Sequence, residues 1–154
     1  MPVKKLRKYL DDNHIKYITL THSLAYTAQE IAARSHIPGK EMAKTVVVKL
    51  GNKMAMAVLP ASYKIDFETL AEVTGSNHVD LASEEEFKYL FPGCEIGAMP
   101  PFGNLYDMDV YVSEKLAEDD EIFFNAGTHT ELIKMDYADF ERLVKPKVLK
   151  FSLV

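Results

Sequence analysis

Two apolar runs, 45–50 and 54–59, stand on either side of Gly51-Asn52-Lys53. Runs of this length, separated by so short a Gly-Asn segment, predict a β-hairpin. These are the expected central strands, and the rest of the chain has to pack on them. Pro2 at a first helical position, followed by Val3, Leu6 and Leu10, predicts an amphipathic helix to about residue 13. A short strand is expected over 15–21. Thr27 and Glu30 then have the spacing of a capping box ahead of a helix over 31–36, which ends near Pro38-Gly39. Asp66 and Ser83 read as N-caps of helices to about 74 and 89, the second reinforced by Glu86. Later strands are expected over 108–112, 121–125 and 131–135, followed by a helix capped by Asp136 and a closing strand over 148–153. Helices and strands are mixed without strict alternation. The predicted class is therefore α+β, a single domain over 1–154 with a mixed, mostly antiparallel sheet and packed helices.

A chain of 154 residues with 47% apolar content suits one ordinary core. No apolar run approaches the ~18 residues that span a bilayer, and the basic start lacks the apolar centre of a signal peptide. Cys94 is the single cysteine, so no internal disulfide can form and a reducing compartment is expected. Together these features predict a cytoplasmic protein with no membrane association. The net charge of -5 means that any nucleic-acid contact must rest on a local basic patch. Lys4, Lys5, Arg7 and Lys8 form either such a patch or a solvated helix face.

Three places could carry chemistry. Lys44 enters the first central strand, so strand alternation puts it on one face with Val46 and Val48. There it either snorkels to solvent or donates strong hydrogen bonds beside an apolar wall, with burial lowering its pKa. The segment Gly97-Ala98-Met99-Pro100-Pro101-Phe102-Gly103 is stiff in the middle and bendable at its ends. It is either a plain turn with Phe102 tucked inward or a rigid frame for backbone groups that grip a substrate or water. In Gly127-Thr128-His129, the glycine suits a tight turn and the histidine is either an ordinary polar residue or one that reaches over a pocket mouth. The five histidines lack metal-ligand spacing, and neither a Walker loop nor a dinucleotide fingerprint occurs. No metal and no cofactor are expected. Cys94 reads as a small buried thiol rather than a nucleophile.

Taken together and in this order, Lys44 opening an apolar strand, the Gly97 to Gly103 loop and Gly127-Thr128-His129 resemble the YbaK/prolyl-tRNA synthetase editing-domain family over essentially the whole chain. The resemblance implies a trans-acting deacylase that hydrolyses the ester of a mischarged tRNA at its acceptor end, with tRNA(Pro) carrying alanine, cysteine or serine as the expected substrate. Prolyl-tRNA synthetase is the implied protein partner. It further implies that Lys44 holds phosphate or ribose, that Gly97 and Pro101 frame a loop whose backbone orients the substrate or water, and that His129 positions the aminoacyl group. Val46, Val48, Pro100, Phe102, Gly103 and Gly127 become the implied substrate-binding residues. An aminoacyl ester is already activated, so aligned water and a stabilised oxyanion suffice without a covalent intermediate. Two other readings remain: a non-catalytic module of the same fold that binds tRNA or a synthetase, and a hydrolase of other small esters.

Overall fold

The central hairpin forms as β2 (Ala43–Leu50) and β3 (Lys53–Pro60), joined by a tight turn in which Gly51 takes φ 66°. Its register sets two faces. Ala43 and Val47, with Met56 and Val58 across the pair, enter one core cluster, while Val48, Ala55, Ala57 and Leu59 enter another. Both faces of the sheet are thus covered, which explains why these strands read as unbroken apolar runs. The protein is described here as a computed structural model that covers residues 4–21 and 42–154.

Preceding the hairpin are α1 (Lys4–Asp12) and β1 (Tyr17–Thr21). After it come β4 (Lys64–Ile65), α2 (Phe67–Thr74), β5 (Val79–Leu81), α3 (Glu84–Phe87), β6 (Asp109–Ser113) and α4 (Glu114–Ala117). The chain ends with β7 (Glu121–Asn125), β8 (Glu131–Asp136), α5 (Tyr137–Val144), β9 (Lys147–Leu149) and β10 (Ser152–Leu153). The main sheet has the order β5-β2-β3-β6-β9, with β3–β6 and β6–β9 parallel and the other neighbours antiparallel. A second, antiparallel sheet, β1-β8-β7, is tied to the first by a parallel bridge between Met42 and Phe123. The fold is therefore α+β with a mixed, mostly antiparallel sheet system, as the residue pattern predicts.

The larger core lies between the two sheets and is filled by Leu6 and Leu10 of α1, Phe124 of β7, Phe140 of α5 and Phe102. Phe102 packs against Tyr9, Phe124 and Phe140, so it anchors the proline loop in the core. The smaller core lies on the other face of the main sheet, under Leu70 of α2 and Phe151. On α1, Lys8 pairs with Asp12, and Lys5 reaches the Leu105 carbonyl and the Tyr106 ring.

Several expectations change in detail. Asp66 and Ser83 cap their helices, and Ser83 with Glu86 forms both bonds of a capping box, yet α3 stops at Phe87. Phe87 and Phe91 both turn inward and pack edge to face, which draws the chain off the helix axis. Asp136 precedes α5 but its side chain makes no cap bond; Tyr137 N–H instead donates to the Asp120 carbonyl. The expected strand over 148–153 is two strands, because Phe151 must be buried between a segment that joins β6 and one that joins β4. The Pro2 helix start and the helix expected over 31–36, with its Thr27 and Glu30 box, lie outside the described residues.

Candidate active site

Lys44 occupies the face predicted from strand alternation, together with Val46 and Val48, and is half-buried. With Lys64, Ile65, Phe67, Val46 and Leu81 it lines a cleft of about 320 Å³. Burial pushes the Lys44 ammonium below its ordinary value, and the nearby charge of Lys64 pushes it further. By contrast, Lys49 and Lys53 of the same hairpin are neutralised by Glu86 at 2.6 Å and Asp109 at 2.8 Å. Val48 is fully buried in the smaller core, so of the two valines on this face only Val46 lines the cleft.

A second cleft, of about 230 Å³, adjoins the first and shares Val46 and Leu81 with it. Thr45, Val47, Phe87 and Met99 form its walls, and Gly97 lies on its border. Among the described residues β5 pairs only with Val48–Leu50, so the first half of β2 borders these clefts. The Lys49–Glu86 ion pair holds α3 against β2, and so fixes the wall to which Phe87 belongs. This pair and the Ser83 bonds of the capping box lower the Glu86 carboxyl to about 2.

The proline loop and the Gly127 turn are laced into one unit. Glu95 N–H donates to the Gly127 carbonyl at 2.7 Å, and Gly127 N–H donates to the Ala98 carbonyl at 2.9 Å. The Glu95 carboxylate accepts the backbone N–H of His129 at 3.0 Å. His129 Nε2 lies 2.7 Å from the Ile96 carbonyl. A carbonyl only accepts, so Nε2 carries the proton in this bond. The ring thus pins the residue next to Gly97. Gly97 has φ 86°, and a Cβ placed there would lie 3.3 Å from His129 Cε1.

The structure therefore brings Gly97, Gly127 and His129 together, and places Lys44 in the adjoining cleft. Pro100, Pro101, Phe102 and Gly103, the second half of the loop, are buried. At Gly103 a Cβ would meet the Met108 carbonyl oxygen at 2.5 Å, so close packing against the backbone requires glycine. These four residues seat the loop. Glu95 and Lys64 had no local signal in the sequence, because their importance arises only when distant segments meet. A larger cleft of about 640 Å³, beside Asp11, Tyr17, Glu121 and Lys134, touches none of the predicted residues. Two pairs of its polar groups are already bonded to each other, Tyr17 with Asp11 and Lys134 with Glu121.

Comparison with known proteins decides the family. The family model of the aminoacyl-tRNA editing domain matches residues 22–143. The chain belongs to the aminoacyl-tRNA editing domain family. Among relatives, it is 33% identical over 114 residues to the multifunctional Ser/Thr-tRNA deacylase ProXp-y of Escherichia coli (strain K12), covering 71% of this chain and 68% of that protein. It is also 27% identical over 89 residues to a proline--tRNA ligase of Bacillus cereus (strain AH187), covering 58% of this chain but 16% of the ligase. The crystal structure of a hypothetical protein superposes with a TM-score of 0.85 at 20% identity, over 97% of this chain and 100% of that one. A candidate trans-editing enzyme for prolyl tRNA synthetase superposes with a TM-score of 0.82 at 21% identity, over 98% and 96% of the two chains. At such identities the superpositions establish the fold.

Proposed function

We propose that this editing-family chain is a trans-acting aminoacyl-tRNA deacylase, working as one unit in the cytosol where tRNAs are charged. The observation that carries the reading is the juxtaposition of an ammonium cleft with a small cleft bordered by a backbone loop. Lys44 faces the phosphate or ribose of the terminal nucleotide. The loop at Gly97 approaches the ester with backbone groups rather than a side chain, and the buried Pro100 and Pro101 keep that geometry fixed. His129 acts by holding Ile96 and Gly97 in place. Water adds to the ester carbonyl, the C–O bond to the ribose breaks, and the amino acid leaves as its free acid. Alignment supplies most of what such an activated ester needs.

The small volume of the Gly97 cleft favours a small aminoacyl group such as alanine, cysteine or serine. Threonine joins the test panel because the ProXp-y relative is named for serine and threonine. A cleft of this kind serves as a second sieve, since a synthetic pocket separates near-isosteres by only ~1–3 kcal/mol. The direct test is release of labelled amino acid from mischarged tRNA(Pro), with Lys44→Ala as control. The reading predicts hydrolysis by the natural chain and none by a folded Lys44→Ala variant. Equal activity in both would remove Lys44 from the mechanism.

A further inference from the structure

We propose that Lys64 is a second phosphate ligand beside Lys44, in the cleft between Lys44 and Phe67 where the terminal nucleotide of tRNA is read to sit; this rests on the editing reading. Lys44 and Lys64 line one cleft, and burial together with the charge of Lys64 disfavours the ammonium of Lys44. Among the described residues no carboxylate pairs with either, whereas Lys49 and Lys53 on the same hairpin each hold one. Two like charges beside an apolar wall are unfavourable in the empty protein, and an anion seated between them relieves both.

The remaining lining has the complementary character. Ile65, Phe67, Val46 and Leu81 give an apolar surface for ribose and base, including one aromatic ring, the side-chain type on which unpaired bases stack. A volume of about 320 Å³ sits at the small end of ligand sites and holds one nucleotide rather than several. Connectivity agrees as well. The aminoacyl group is one ester bond from the ribose, and the Gly97 cleft shares the Val46 and Leu81 wall with this one. A nucleotide on the lysine side therefore delivers its ester to the loop side.

The test is deacylation kinetics of Lys64→Ala and Lys64→Arg across a salt series, with a parallel NMR titration of each protein by adenosine 5′-monophosphate. Lys64 is exposed and lies on the two-residue strand β4, so Lys64→Ala should melt with the natural chain. Loss of one phosphate contact to single-stranded nucleic acid flattens the log–log salt slope by about 0.7, which corresponds to a KM about fivefold higher at 0.1 M salt. The expected result is that rise in KM with kcat unchanged, a normal slope in Lys64→Arg, and weakened nucleotide binding in Lys64→Ala. An active natural chain whose KM and slope are untouched by Lys64→Ala overturns the inference and leaves the editing reading standing. If the natural chain releases no amino acid, the editing reading falls and the titration alone decides the cleft. Shifts at Ile65 and Phe67 that vanish in Lys64→Ala then uphold a nucleotide site, and their absence overturns it.

Discussion

Replacing Gly97 by alanine tests whether the loop is held in a conformation that only glycine tolerates. At φ 86° an L-residue lies in the left-handed region, which costs roughly 1–2 kcal/mol. The added Cβ also stands 3.3 Å from His129 Cε1, so the ring must give way by a few tenths of an ångström. It has little freedom to do so, because Nε2 is bonded to the Ile96 carbonyl and the His129 backbone to Glu95. Loosening one of those bonds adds about 0.5–1.5 kcal/mol. The total, about 1.5–3.5 kcal/mol, lies below the roughly 5–15 kcal/mol that holds a domain folded. For a chain of this size it lowers the melting temperature by about 3–14 °C. Activity falls further, since a displacement of about 1 Å at a reacting centre can cost about 100-fold. Gly51→Ala is the matched control, because Gly51 has φ 66° with nothing within 4 Å of a Cβ. It should lose stability through its backbone alone and keep its activity. Thermal melts and kcat/KM on mischarged tRNA read both effects. A Gly97→Ala variant that melts and turns over like the natural chain would refute the reasoning.

Two further outcomes follow from the ionisable groups. The folded-state pKa of Glu86 is lowered from 4.5 to about 2, chiefly by its bond to Lys49, so its stabilisation is complete above pH 4.5 and lost as the pH falls to about 2. Glu86→Gln should therefore melt below the natural chain at neutral pH, and the gap should close across that acid window; a gap that persists at pH 2 counts against the Lys49 pair. Burial pushes the Cys94 thiol up, so it should react slowly with alkylating reagents at neutral pH, and Cys94→Ala should keep full deacylase activity. Loss of activity in that variant would reopen a covalent route.

What the sequence reveals about this fold depends on how local each cause is. The hairpin, the Asp66 cap and the Ser83 capping box are decided within a few neighbouring residues, and the residue pattern predicts them. So is the face of Lys44, which follows from alternation along one strand. The split of the last strand is not local, because Phe151 turns into a core assembled from α2 and β2 to β6. For the same reason the strand Lys64–Ile65 is invisible alone, since it exists only as the partner of Ser152–Leu153. In the site, Gly97, Gly127 and His129 are legible as a recurring set, but Glu95 gains its role only by bridging the two loops. Phe102 and Gly103 share the motif with Gly97, yet their burial shows that adjacency in sequence does not place every residue in the cleft.

The most direct test of the central claim compares release of labelled alanine, cysteine, serine and threonine from mischarged tRNA(Pro) with release of proline from correctly charged tRNA(Pro). Each substrate is run with the natural chain, Lys44→Ala and buffer. The account predicts that at least one small amino acid is released well above buffer while prolyl-tRNA is spared, and that Lys44→Ala, still folded, matches buffer. Release no faster than buffer for every mischarged species, or equal release by Lys44→Ala, would contradict it.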